Sequence, residues 1–305
     1  MIWNSDERGG LCLDKTIKNK RRFAKILKEL RLLPGYALML VWTVFTFFLL
    51  GWVLAASFST TKEIFSGDVF GLQSGLHFEN YVNAWNTSNV SRFFSNSLVY
   101  TVISLVAIIV ICAPASYALS RFDFIGNRLI QTLLVATMGV PIIMVILPLF
   151  GMIAGAGIMD NVLANKTVLV LLYIGMRVPY TTVFLLNFFK HLSSSYEEAA
   201  AIDGCSTVKT FWLIMFPMAR GGVATVTIFN FINVWNEYFV SLLMANSDQT
   251  KSVAVGLFGM INSMKYTGDW AGMFAAVVIV CLPTLILYLF LSEKIIGSIT
   301  GGLKG

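Results

Sequence analysis

Two charged side chains, Arg177 and Glu237, stand inside long apolar runs of this sequence, and a row of polar residues surrounds the second. Thr227, Asn230, Asn233, Glu237 and Ser241 recur at intervals of three and four residues, the spacing that puts side chains on one face of a helix. Hydroxyl, amide and carboxylate groups on such a face can hydrogen-bond a polar solute. The rings of Trp235 and Tyr238 offer flat faces on which a solute can stack. The same polar groups serve equally well to join helices without touching any solute. Arg177 and Glu237 fall at comparable depths in their runs. The sequence therefore predicts that they approach each other or flank one polar cavity, because an unpaired charge there is costly. No GxxxxGK[ST] occurs, so the chain does not cradle nucleotide phosphates by that route, and HExxH, CxxC and GxSxG are likewise absent. His77 and His191 fall in expected loops, and Cys12, Cys112, Cys205 and Cys281 have neither metal-site nor disulfide-framework spacing. An enzyme has little to stand on here.

The elements that must position these residues are membrane helices. Of 305 residues, 57% are hydrophobic and 12% charged, with a mean hydropathy of +0.76, which excludes both an ordinary soluble domain and a disordered chain. Six segments carry the ~20 apolar residues a spanning helix needs: Tyr36 to Phe58, Phe93 to Leu119, Leu129 to Ile153, Val168 to Phe189, Val223 to Ala245 and Trp270 to Leu291. With the N-terminus inside, the inner segments hold 16 Lys and Arg and the outer ones 5, as the positive-inside rule demands. The basic stretch from Lys15 to Arg31 resembles the start of a signal peptide, but the apolar run after it is full-span, so an uncleaved first span is expected. Trp85 and Trp270 suit the outer interface, and Pro114, Pro141, Pro148, Pro179 and Pro283 are expected to bend their spans. The expected fold is an all-α membrane protein. A basic segment (1–35) precedes a six-span domain (36–296), and a tail (297–305) follows, with both termini inside.

Between the fourth and fifth spans, residues 193–217 read as two short helices. Ser194 with Glu197, or Ser195 with Glu198, offers a capping box, and Gly204 ends the first helix in a left-handed conformation. The second starts from Ser206 and must stop or kink by Pro217. Such a pair beneath the membrane suits either a docking knob for a soluble partner or a plain elbow.

Glu198-Ala199-Ala200, Asp203-Gly204, Phe211, Ile214 and Pro217 resemble the EAA signature of binding-protein-dependent ABC importer permeases. The likeness continues through His77-Phe78-Glu79-Asn80-Tyr81, Phe94-Ser95-Asn96-Ser97-Leu98, Trp235-Asn236-Glu237-Tyr238 and the terminal Gly301-Gly302-Leu303-Lys304-Gly305. Together these look like the carbohydrate branch, and within it the shorter, maltose-type second permease. Many members carry a proline where this chain has Gly221.

The resemblance implies a subunit of an inner-membrane importer of a prokaryote. Its partners would be a second permease (as a heterodimer), two ATP-binding subunits, an extracytoplasmic solute-binding protein, a sugar and membrane lipid, with no nucleic acid. ATP and Mg would be bound by the partner ATPase, leaving no cofactor in this chain. Glu198 would accept a hydrogen bond from a partner arginine, Ala199 and Ala200 would permit close approach, and Gly204 would form the turn. Asp203, Phe211 and Pro217 complete the docking element. Asn230, Asn233, Trp235, Glu237, Tyr238 and Arg177 are the candidates for the solute pathway. The loop from Asn246 to Asp269 corresponds in order to the one that reaches into the binding protein, and the tail to the one that contacts the ATPase interface. Two other readings stay open. One is a self-contained secondary transporter using Arg177 and Glu237 for ion coupling. The other is an ABC permease for a peptide, phosphate or amino acid.

Overall fold

The structure, a computed structural model, describes residues 6–86 and 88–301, with side chains for residues 32–290 apart from 87, 264, 265 and 267. All the regular elements among the described residues are helical. The chain divides into two units, residues 1–55 and 56–305. The first is nearly all one helix, α1 (Asp6–Phe58), whose Leu32–Phe58 portion is long and apolar enough to cross a bilayer. The expected boundary at residue 35 falls inside this helix. The side chains of the basic stretch before residue 32, and the tail residues Gly302 to Gly305, lie outside those described.

Three further continuous helices of spanning length follow: α4 (Val90–Arg121), α7 (Val162–Lys190) and α14 (Trp270–Gly301), the last apolar over Trp270–Phe290. Pro114, Pro179 and Pro283 are accommodated inside them without interrupting them. The expected third span is instead two helices, α5 (Asn127–Met138) and α6 (Ile142–Gly155), meeting at 92°. Pro141 explains the break: it lacks an N–H and steers Val140 out of the helical region, while Gly139 ends α5. The expected fifth span is also divided. Helix α11 (Arg220–Trp235) stops at Asn236, and α12 (Phe239–Met244) begins three residues later. The described residues hold four helices able to cross a membrane, or up to six spans if two bent pairs, α5 with α6 and Thr207–Met218 with α11, each count as one.

The second unit is organised around α4, which packs lengthwise on α7. Small residues of α4 face the partner helix: Ser116 Oγ donates to the Thr182 carbonyl at 2.9 Å, and Cys112 and Ala113 are fully buried. Close backbone approach of this kind is how helices associate where no water drives them together. Ile108 and Tyr117 of α4, Leu185 and Phe189 of α7 and Val226 of α11 form one apolar cluster, and Tyr100, Leu169 and Tyr173 begin a second towards the other end. Residues 246–269, expected as a polar loop, contain the helix α13 (Val253–Thr267), which packs on α14 and α4. Gly256 permits that contact, since a Cβ there would come within 2.1 Å of the Phe93 ring.

Short helices α2 (Thr61–Ser66) and α3 (Glu79–Asn86) connect α1 to α4. Asn80 Nδ2 donates to the carbonyls of Ser57 at 3.0 Å and Ser59 at 2.9 Å, and the Tyr81 hydroxyl lies 2.6 Å from Ser57 Oγ. Glu63 closes a capping box with Thr60 and accepts from both the amide and the hydroxyl of Ser74, at 2.9 and 2.8 Å. These hydrogen bonds, led by those from the backbone amides of Thr60 and Ser74, lower its pKa to about 2. Because the folded value lies below the unfolded one, the stabilisation is fully present above the ordinary carboxylate range and is lost as pH falls towards 2. Limited proteolysis of residues 60–75 should accordingly be unchanged between pH 8 and pH 6, and Glu63→Ala should accelerate it throughout that range.

Candidate functional site

Residues 193–217 hang from the ends of α4 and α7. Helix α8 (Ser195–Ile202) ends as the sequence predicts: Gly204 has φ +74°, the Gly204 amide donates to Ala201 at 3.1 Å, and the Cys205 amide donates to Ala200 at 2.9 Å. Nothing lies within 4 Å of a Cβ built on Gly204, so its backbone conformation alone calls for glycine. The start of α8 departs from expectation, because neither capping box forms. Ser194 is helical (φ −66°) and makes no side-chain cap, and its hydroxyl donates to Glu198 Oε1 at 3.1 Å. Glu197 is taken by another partner, Arg121, whose Nε donates to Oε1 at 2.8 Å.

Beyond the turn, α9 (Thr207–Thr210) opens into a single π-helical turn, Phe211–Met215, and closes as α10 (Phe216–Met218), bending by 72° into α11. Pro217 explains the wide turn. Its ring collides with the carbonyl four residues back, and the helix relieves this by shifting to longer hydrogen bonds, as Phe216 N–H to Phe211 O shows. Phe211, 4% exposed, packs against Tyr117 of α4 at 5.1 Å and Phe189 of α7 at 6.2 Å. The eight signature residues therefore divide. Phe211 is buried and Ile214 half-buried in the cluster between α4 and α7, which holds the segment to those helices, and Ala200 is also buried. Glu198, Ala199, Asp203, Gly204 and Pro217 are exposed, beside the apolar side chains of Ile202, Val208 and Leu213.

The polar row fares differently. Asn230, 1% exposed, donates from Nδ2 to Thr181 Oγ1 of α7 at 2.8 Å, and its Oδ1 has no partner among the described residues. Asn233 is exposed and bonds only the Phe229 carbonyl of its own helix, at 2.7 Å. The helical face expected to continue to Ser241 is interrupted where α11 ends. Past the break, Glu237 caps α12, accepting from the amides of Val240 at 2.8 Å and Ser241 at 3.0 Å. A carboxylate at a helix start satisfies amides that have no partner within the helix. Arg177 and Glu237 are both half-buried and within electrostatic reach of each other, but no ion pair within 4.0 Å joins them. Tyr173, 2% exposed, lies near Glu237 and Ser241, and its hydroxyl has no hydrogen-bond partner within 3.5 Å among the described residues. Trp235 is not a stacking platform. It is 1% exposed, with Phe231 parallel at 5.8 Å, Phe94 edge-on at 5.2 Å and Nε1 donating to the Val280 carbonyl at 3.2 Å. Tyr238 is half-buried against Phe258 at 5.4 Å.

Several polar contacts escaped the sequence reading. Asn96 donates to the carbonyls of Gln249 and Lys251, both at 3.0 Å, and accepts from Lys166 Nζ at 2.8 Å. Tyr100 donates to Thr250 O at 2.8 Å, Ser97 accepts from Val253 N at 2.8 Å, and Asn165 donates to Met244 O at 2.7 Å. Apart from the Lys166–Asn96 contact, each joins a side chain on α4 or α7 to backbone between the last residue of α12 and the first of α13. The only sequence signal was an amide or hydroxyl within an apolar helix, which names no partner.

At Gly204, replacement by alanine forces a left-handed conformation costing ~1–2 kcal/mol. Amides of residues 196–205 should then exchange roughly five- to thirty-fold faster in hydrogen-exchange measurements, while those of α4 and α7 keep their protection.

A family model described as the inner membrane component of binding-protein-dependent transport systems matches residues 110–294. The diacetylchitobiose uptake system permease protein NgcG of Streptomyces coelicolor is 36% identical over 283 residues, covering 92% of this chain and 89% of that protein. The trehalose/maltose transport system permease protein of Thermococcus litoralis is 28% identical over 284 residues, covering 92% of this chain and 99% of that one. A chain of a bacterial ABC transporter involved in importing the acidic polysaccharide alginate superposes with a TM-score of 0.71 at 19% identity, over 96% of this chain and 99% of its own length, which establishes a shared fold. The chain belongs to the family of inner-membrane components of binding-protein-dependent transport systems.

Proposed function

We propose that this chain is one of two permease subunits in an ABC importer of a sugar or oligosaccharide, and that residues 193–217 dock it to an ATP-hydrolysing partner. The observation that carries this reading is the division within the segment. Phe211 grips the helix bundle and Ala200 is buried, while Glu198, Ala199, Asp203 and Gly204 are exposed on the rim. A knob anchored from behind and offering a carboxylate, a small side chain and a glycine in front is suited to a cleft on another protein. Glu198 would accept a charge-assisted hydrogen bond from a partner arginine there. The names of the relatives, which cite diacetylchitobiose, trehalose and maltose, support a sugar as the solute.

In this reading α5 with α6, and α11 with α12, each count as one span, making six, with both termini and the docking segment on the cytoplasmic side and residues 59–92, 154–167 and 246–269 outside. The count of 16 basic residues inside and 5 outside supports that orientation. Arg177, Asn230, Asn233, Glu237 and Tyr238 are the pathway candidates, joined now by Tyr173. The unpaired Asn230 Oδ1 and Tyr173 hydroxyl support polar contents for this region, whether solute hydroxyls or water. Trp235 would brace the break before α12 and leave stacking to Tyr238. Docking of a solute-binding protein outside and closure of the ATPase inside would bias two arrangements of the helices, so that the pathway faces alternate sides.

The test is copurification of the ATPase with this chain from membranes, followed by ATP hydrolysis with and without sugar-loaded binding protein. Losing a hydrogen bond to a charged group corresponds to about tenfold or more. Glu198→Ala should therefore lower ATPase recovery, or stimulated hydrolysis, by about that factor. A variant indistinguishable from wild type in both would remove Glu198 from the docking role.

A further inference from the structure

Arg121, the last residue of α4, joins three parts of the molecule. Its Nε donates to Glu197 Oε1 of α8 at 2.8 Å, and its Nη2 donates to the Leu192 carbonyl, just past the end of α7, at 2.7 Å. The two side chains are only 15% and 20% exposed. The other ion pairs among the described residues, His77–Glu79 and Lys251–Asp248, join near neighbours in sequence, whereas Arg121 and Glu197 are 76 residues apart. A planar guanidinium with two donors engaged in different directions fixes orientation as well as distance. One turn earlier on the same helix, the Tyr117 ring packs on Phe211. The end of α4 thus holds α8 by charge and the π-turn by ring contact. Towards its other end, the same continuous helix holds residues 249–253 through Asn96, Ser97 and Tyr100.

We propose that the Arg121–Glu197 pair is the transmission link through which movement of the docking segment is carried into α4 and on to the 249–253 segment. This rests on the docking reading above. The adjacent glutamates divide the work: Glu198 faces outward to the ATPase, and Glu197 faces inward and ties that contact to a helix running the length of the bundle. Arg121 and Glu197 are positioning residues, acting through α4 rather than on solute or nucleotide. A pair that only braced the fold would, when cut, lower the amount or thermal stability of the assembly. It would leave the ATP spent per sugar moved unchanged in the molecules that remain.

The test uses the complete importer in proteoliposomes, with Glu197→Gln, Arg121→Gln, Arg121→Lys and the reversed pair Arg121→Glu/Glu197→Arg. Three quantities are read: ATPase copurified, unfolding temperature, and ATP hydrolysed per sugar transported. The single neutral variants should copurify the ATPase as wild type does and raise the ATP-to-sugar ratio about threefold, the scale of a weakened ion pair. Arg121→Lys, which keeps the charge and loses one donor arm, should fall between, and the reversed pair should bring the ratio back towards wild type. If Arg121→Gln does not assemble, Glu197→Gln and Arg121→Lys carry the test. An unchanged ratio in variants that assemble overturns the link while leaving docking intact. A wild-type chain that recovers no ATPase overturns the docking reading and the link together.

Discussion

The lengthwise packing of α4 on α7 is the constraint on which the other parts depend. In a bilayer these helices gain nothing from excluding water from each other, so their association rests on close contact between small side chains and on hydrogen bonds such as Ser116 to the Thr182 carbonyl. Once that pair is fixed, its two ends become platforms. At one end Tyr117, Arg121 and Phe189 receive residues 193–217; at the other, Asn96, Tyr100 and Asn165 receive the chain as it leaves α12. Helix α11 packs on both, with Asn230 bonded to Thr181 at the crossing.

Helices at membrane depth satisfy their own backbone, and every interruption leaves groups that need another partner. Several interruptions in this chain coincide with its recognisable motifs. Glu237 caps the helix that follows the break at Asn236, Asn80 takes the carbonyls exposed after α1, and Asn96 takes those before α13. Pro217 is accommodated by a π-turn, which places Phe211 in the cluster between α4 and α7. Several residues first noticed for their chemistry are thus the ones that let the backbone leave a helix without an unpaired amide or carbonyl. Asn230 Oδ1 and the Tyr173 hydroxyl differ, since no hydrogen bond to either is made among the described residues.

Composition and hydropathy were enough to read an all-helical membrane chain, because ~20 apolar residues have few other uses. The turn at Gly204 was legible because a left-handed residue ending a helix has a strong preference for glycine. The divided spans were less so. Pro141 announced a bend but not one of 92°, since proline inside α4 and α7 leaves those helices continuous. The stop after Trp235 has no proline or glycine to mark it, and the run of three- and four-residue intervals concealed it. Partner choice was the least legible. Glu197 satisfied the spacing of a capping box and yet pairs with an arginine far away in sequence, and Trp235 carried the composition of a sugar platform and is buried. Local spacing specifies what a side chain can do, and the tertiary neighbours decide among those options.

The central claim is that the rim of residues 193–217 meets an ATP-hydrolysing subunit, and adjacent alanines give the most direct measurement. With Cys205 replaced by serine, a cysteine introduced at exposed position 199 should cross-link to the ATPase in native membranes. A cysteine at position 200, where the native side chain is 2% exposed, should not. Cross-linking at 199 alone is the predicted result; no cross-link at 199 in an assembly that hydrolyses ATP, or equal cross-linking at both positions, would contradict the account.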